Sequence, residues 1–247
     1  MCAVIGTVLK NPSLKDFEAL KRVFIESKIR GLHATGISFL PHWTNKIVTI
    51  KEAMPADEFV ELHMHNDNFK DFLNADGNLY LVGHCRYSTS DLEFNQPIYN
   101  NSMSVVHNGV ITQEPTDKWE ELYGYKCEGK NDTELILHTL DNGKSPLEEW
   151  KDASLAVCVL GRDKTLTTFR NGKRPLYLTT MTNGSIITST VDIPKRAGLY
   201  LPTMEIPMNT YITFDSNLKM EMKAVHIPDA KDLQHGQTNS LHPDTKA

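Results

Sequence analysis

Cysteine is scarce in this chain, and spacing pairs none of it. Cys2, Cys85, Cys127 and Cys158 are the only four among 247 residues. They form no CxxC pair and no metal-ligand pattern, which argues against a disulfide-stapled fold and a zinc ribbon. Long apolar runs are missing too. No stretch approaches the roughly 18 apolar residues of a membrane span, and the start of the chain lacks the basic region and apolar length of a signal peptide. Basic clusters are also absent. The 26 Lys and Arg are scattered against 31 Asp and Glu, for a net charge of -5, so direct nucleic-acid binding is not expected. What remains is 40% hydrophobic and 23% charged, the balance of a globular protein with a full core. A cytoplasmic protein with reduced thiols is the expectation.

Periodicity divides the chain into a mixed first part and a β-rich second part. Residues 2–9 are β-branched and read as a strand beginning almost at the terminus. Residues 13–30 read as a helix with Ser13 as N-cap and Leu14, Phe17, Leu20, Val23, Phe24 and Ser27 on one face. Strands are expected at 36–40, 46–51, 79–84 and 102–107, and helices at 55–73 and 132–140. From residue 154 the spacing predicts strands at 154–160, 165–170, 175–180, 185–190, 210–214 and 218–225, separated by Gly, Asn, Asp and Pro turns. The chain is read as one domain over residues 2–227, with 228–247 a polar, loosely held tail.

Cys2 is the first candidate for chemistry. Removal of Met1, expected before so small a second residue, leaves a thiol and a free α-amine on one residue. That amine has an ordinary pKa of about 7.7–8.0 and can act as base for its own side chain. On its own, a cysteine beside an initiator is as readily an ordinary buried thiol. Arg86 can hold a carboxylate through two parallel hydrogen bonds, or make a surface ion pair. Asp132 can receive an ammonium, or cap the helix that follows it. Asn108 and Gly109 can supply donors to an oxyanion, or form a type I′ hairpin turn. His63 and His65 do not share a helix face, so no metal site is expected there.

Six motifs occur in order: Cys2-Ala3-Val4-Ile5-Gly6, Arg30-Gly31-Leu32-His33-Ala34-Thr35-Gly36, Gly83-His84-Cys85-Arg86-Tyr87-Ser88-Thr89, Gln96-Pro97-Ile98, Val106-His107-Asn108-Gly109-Val110-Ile111 and Asn131-Asp132-Thr133-Glu134. Together they resemble class II glutamine amidotransferases, from Cys2 to about Thr190, with a weaker late match at Arg174-Pro175-Leu176-Tyr177-Leu178. The resemblance implies an α+β fold, the four-layer αββα sandwich of Ntn hydrolases. It implies Cys2 as nucleophile and Asn108 with Gly109 as oxyanion hole. Arg86 and Thr89 would contact the substrate, with Arg86 on its α-carboxylate and Asp132 on its α-ammonium. Arg30 and Gly31 would be positional. The substrate would be L-glutamine, with no cofactor and no metal.

Two positions depart from the family pattern: His33 stands where an acidic residue is usual, and Cys85 where a threonine is. About 57 residues follow Thr190, too few for a synthase domain, so ammonia is expected to pass to a separate synthase subunit. The competing expectations are an Ntn amidohydrolase acting on another γ-glutamyl or small amide, and a glutamine-binding regulatory subunit.

Overall fold

The computed structural model describes residues 2–88 and 91–228. The first strand, β1 (Ala3–Leu9), is buried at every position. Alternation sends Ala3, Ile5 and Leu9 to one apolar cluster and Val4 and Val8 to another. A strand that is apolar on both faces belongs at the centre of a stack. The helix α1 (Leu14–Ser27) follows, started by Ser13 in a reciprocal capping box with Asp16: Asp16 N donates to Ser13 Oγ at 3.3 Å and Ser13 N to Asp16 Oδ2 at 2.7 Å. A 3₁₀ turn at Lys28–Arg30 prolongs it.

Next come β2 (Ala34–Phe39), β3 (Val48–Glu52), α2 (Ala56–His63), β4 (Leu79–Arg86), β5 (Ile98–Tyr99) and β6 (Met103–His107). The helix expected over 55–73 is in fact α2 followed by a separate 3₁₀ turn at Phe69–Phe72. The intervening residues include Asn66, Asp67 and Asn68, whose side chains compete for backbone groups, and Asn68 Nδ2 donates to the His63 carbonyl at 2.9 Å. The second part holds α3 (Trp119–Tyr123), α4 (Thr133–Asp141), α5 (Pro146–Glu149), β7 (Ala156–Gly161), β8 (Thr165–Arg170), β9 (Tyr177–Met181), β10 (Gly184–Thr188), α6 (Asp192–Arg196), β11 (Thr203–Glu205), β12 (Thr210–Phe214) and β13 (Met220–Ala224). All six strands expected after residue 154 are present. The short elements α3, α5, α6 and β11 carry too few periodic residues to be read from sequence.

The strands form two antiparallel sheets, ordered β11-β9-β10-β1-β4-β2-β3 and β13-β12-β8-β7-β6-β5. Val4, Val8, Tyr80, Val82, Val106, Cys158, Ile187 and Ile212 fill the space between them. On the outer face of the first sheet, Phe17, Leu20 and Phe24 of α1 pack with Phe59 of α2 and Ile193 of α6. On the outer face of the second, Leu135 and Ile136 of α4 pack with Trp119 and Leu147. Each such fully buried Leu or Phe contributes about 1.5–3 kcal/mol. The layers therefore run αββα, the expected sandwich. Among the described residues no helix is long and apolar enough to cross a membrane.

Candidate active site

Register explains how distant residues meet. The ladder between β1 and β4 runs from Leu9↔Leu79 to Ala3↔Cys85. Cys2 and Arg86 are therefore the next residues off its end, at the mouth of the central strand. In the other sheet, β6 ends at His107, paired with Val157, and Asn108 N donates to the Ala156 carbonyl at 2.9 Å. The two sheets converge there. Cys2 N donates to Asn108 Oδ1 at 3.3 Å. Arg30 Nε donates to the Cys2 carbonyl at 3.0 Å, fixing the nucleophile candidate from the other side.

A cleft of about 360 Å³ opens beside Cys2, walled by Arg86, Gln96, His107, Gly109 and Asp132. Asn108 lies beneath that wall, 3% exposed. Its Oδ1 is engaged by Cys2, while its Nδ2 has no hydrogen-bond partner among the described residues. A buried, unsatisfied amide donor is costly to maintain, by about 1–3 kcal/mol, and is tolerated where a ligand completes it.

The Asn108-Gly109 pair is not a type I′ turn. Neither residue has a positive φ, and β6 pairs with β7 across a 48-residue excursion from Asn108 to Leu155 rather than through a hairpin. Glycine is required at 109 for room instead: a Cβ there would stand 1.8 Å from the Ser154 carbonyl oxygen. Similarly, a Cβ at Gly36 would stand 2.2 Å from the Gln96 carbonyl oxygen, so β2 lets the 96–97 segment pass close above it.

Asp132 occupies the N-cap position of α4, but its side chain makes no capping bond. Its Oδ2 accepts from Ile111 N at 2.6 Å, which ties the start of α4 to the segment after Gly109. Phe94 contributes a second tie, its carbonyl accepting from Arg86 Nη1 at 3.4 Å and from Asn131 Nδ2 at 2.9 Å. Arg86 and Asp132 thus both reach the cleft from anchored backbone. Thr89, expected to contact substrate, lies outside the described residues.

Several contributors were not legible beforehand. Gln96 grips His107 twice, accepting from His107 N at 2.6 Å and donating to the His107 carbonyl at 3.0 Å. That pair aims the residue preceding Asn108, a role for the Gln96-Pro97 motif that spacing alone did not disclose. Residues 112–116, from a polar, Pro-containing segment with no periodic signal, and Trp119, the first residue of α3, also line the cleft. At the rim, His33 packs against the exposed Tyr87 in a tilted contact, ring centroids 5.2 Å apart and planes 49° apart. His63 and His65 go separate ways, His63 to Glu52 at 3.3 Å and His65 to the Leu62 carbonyl at 3.0 Å.

The remaining thiols are poor nucleophiles. Burial pushes Cys158 up to about 12, burial and then the Glu134 charge push Cys127 up to about 12, and burial raises Cys85 further still. Cys2 is half-buried and open to the cleft. The two histidines lining the cleft, His84 and His107, are neutral near pH 7. Burial brings His84 down to about 3, helped by Arg86 and His107. Burial also lowers His107, against the pull of Asp132. His107 Nε2 must carry its proton, because its partner at 2.9 Å is the Ser154 carbonyl.

A testable consequence concerns acid stability. His84 has an ordinary unfolded pKa of about 6.5 and a folded value of about 3, so between these values the unfolded chain binds the extra proton. Stability is therefore complete above about pH 6.5 and falls as pH drops toward 3, by up to about 1.4 kcal/mol per pH unit from this residue. His84→Gln should narrow the gap between urea midpoints measured at about pH 7 and pH 5. An unchanged gap would count against the assignment.

Comparison with known proteins agrees with this geometry. Residues 84–193 match the family model described as a glutamine amidotransferase domain. Glutamine–fructose-6-phosphate aminotransferases (isomerizing) from Neisseria meningitidis serogroups A and B are each 27% identical over 182 residues, covering 66% of this chain. The chain spans only 28% of the length of these curated relatives. Among solved structures, a glutamine phosphoribosylpyrophosphate amidotransferase from B. subtilis superposes with a TM-score of 0.65 at 18% identity, over 90% of this chain and 49% of that one. A glutamine aminotransferase class-II domain protein from Silicibacter pomeroyi gives 0.53 at 12% identity, over 91% of this chain and 99% of that one. These two likenesses speak for the fold. Residues 84–193 thus match a glutamine amidotransferase domain model, and they lie within an αββα sandwich similar to the folds of those two solved structures.

Proposed function

We propose that this domain hydrolyses the side-chain amide of L-glutamine, with Cys2 as nucleophile and its own α-amine as base. The observation that carries this reading is the contact between Cys2 N and Asn108 Oδ1 at 3.3 Å, with Asn108 Nδ2 buried and unsatisfied beside it. One amide side chain orients the base and keeps a donor in reserve for charge that develops during attack.

The Cys2 sulfur adds to the glutamine Cδ, and its proton passes to the α-amine. The carbonyl oxygen becomes an oxyanion, met by Asn108 Nδ2 and the Gly109 N–H. Collapse breaks the C–N bond, and the amine returns the proton to the departing ammonia. Water then adds to the γ-glutamyl thioester, releasing glutamate and restoring the thiol. Arg86 would clamp the α-carboxylate and Asp132 the α-ammonium, selecting a free amino acid over a peptide-bound glutamine. Thr89 is retained as a further substrate contact.

We also propose that the ammonia is used outside this domain, by a separate synthase subunit. The described strands all belong to the two central sheets of the sandwich, which supports placing the acceptor outside those layers. The four unpaired cysteines fit a reducing, cytoplasmic setting.

Protein lacking Met1 should release glutamate from glutamine and be modified on Cys2 by 6-diazo-5-oxo-norleucine, read by peptide mass spectrometry. Neither event, with any synthase partner supplied, would reject the reading. The clamp has its own test. Arg86→Lys keeps the charge but loses the planar fork, so KM for glutamine should rise about 10- to 100-fold with a smaller change in kcat. A loss confined to kcat would rule out the carboxylate role.

A further inference from the structure

Away from the cleft, α4 presents a second cluster that the glutaminase chemistry does not use. Glu134 and His138 lie one turn apart on the same helix face, and Cys127 comes from the loop joining α3 to α4. The Cys127 sulfur, a Glu134 carboxylate oxygen and a His138 ring nitrogen all fall within 4.8 Å of one another. The geometry points to a site for a single zinc-class divalent cation held by Cys127, Glu134 and His138.

Each ligand is prepared in a different way. Glu134 is 8% exposed, and its two oxygens accept from Glu128 N at 2.7 Å and Gly129 N at 2.8 Å. A carboxylate has about four acceptor positions, so this anchoring leaves lone pairs for a cation. His138 Nε2 is buried and has no hydrogen-bond partner among the described residues; the nearest Glu134 oxygen is 3.8 Å away, beyond hydrogen-bond reach. The His138 ring is held flat against Tyr125, 5.7 Å between centroids and 8° between planes. Cys127 is half-buried, and its thiol would release its proton as the sulfur binds a cation.

The mixture of sulfur, nitrogen and oxygen suits a borderline-soft ion such as Zn²⁺ better than Mg²⁺ or Ca²⁺. Tetrahedral zinc contacts of about 2.0–2.3 Å would set the ligands about 3–4 Å apart, which asks for a contraction of about 1 Å. Solvent would fill the fourth position, since Cys127 and His138 are both partly exposed. Such an ion would tie the loop to the helix just before Lys130, Asn131 and Asp132 enter the cleft wall. Its role would be to hold the ammonium-binding end of the cleft in place, without touching substrate.

The test uses full-length protein stripped with a chelator, dialysed and titrated with zinc chloride. One zinc per chain is expected in wild type and in Cys2→Ala, with affinity at least tenfold weaker in Cys127→Ser and in His138→Gln. Cobalt(II) should give a thiolate charge-transfer absorption in wild type and Cys2→Ala that Cys127→Ser lacks. Zinc should also slow alkylation of Cys127 in the wild-type protein, a readout that does not depend on any variant folding. No zinc uptake, uptake indifferent to Cys127 and His138, or uptake abolished by Cys2→Ala would each overturn the assignment.

Discussion

An N-terminal extension that keeps Cys2 from becoming the first residue is expected to lower glutamate release from glutamine by about 10²- to 10⁴-fold, with the thiol still in place. That is the range a positioned general base contributes. Cys2→Ala should fall further, by up to the roughly 10⁶-fold seen when a catalytic nucleophile is removed elsewhere. The histidines that line the cleft are poor bases. His84 is brought down to about 3 by burial, too weak for efficient proton transfer near neutral pH. His107 donates its Nε2 proton to the Ser154 carbonyl and is lowered by burial as well. An α-amine ordinarily titrates at about 7.7–8.0, the range a base near neutral pH needs, and the Cys2 nitrogen is already oriented by Asn108 Oδ1. Intact mass would verify the extension, and circular dichroism the fold. Full turnover by the extended protein would exclude the amine as base.

What could be read from the sequence was local chemistry, and what could not was long-range pairing. Ser13 announces the start of α1 because an N-cap acts within one turn, and the structure adds Asp16 to close a capping box with it. Strands β8 and β12 match their expected bounds because sharp turn residues flank them. By contrast, β1 lies between β4 and β10, partners about 80 and 180 positions away, and no periodicity encodes that order. The site was legible to the same degree. Ordered motifs pointed to Cys2, Arg86, Gly109 and Asp132, which the structure gathers around one cleft, and to Asn108 just beneath it. The hold of Gln96 on His107 and of Asp132 on Ile111 depends on loops meeting in space. So does the reason for glycine at 109, where the sequence suggested a turn and the structure shows a close approach to Ser154.

Asn108→Ala should reduce kcat by about 10²- to 10³-fold, equivalent to about 2.7–4 kcal/mol of transition-state stabilisation, with little change in KM. A donor aimed at an oxyanion interacts with charge that the bound amide has yet to develop, so ground-state binding is largely spared. Alanine, however, removes both ends of the side chain, the oxygen that orients Cys2 N as well as the free Nδ2. Asn108→Asp separates the two roles, because it keeps an oxygen acceptor for the Cys2 amine and replaces the Nδ2 donor with a second oxygen. If orientation of the amine were the whole contribution, the aspartate variant would recover much of the activity lost in alanine. If the donor dominates, aspartate should be as slow as alanine or slower, since a carboxylate would face the developing negative charge. The second outcome is expected, with urea midpoints for both variants near that of the wild type. Gly109→Ala should behave differently again. A Cβ 1.8 Å from the Ser154 carbonyl oxygen cannot be accommodated by a rotamer change, so the backbone must shift and stability and kcat should fall together. An aspartate variant that approaches wild-type kcat would remove Asn108 from the oxyanion hole and leave it only as the support of Cys2.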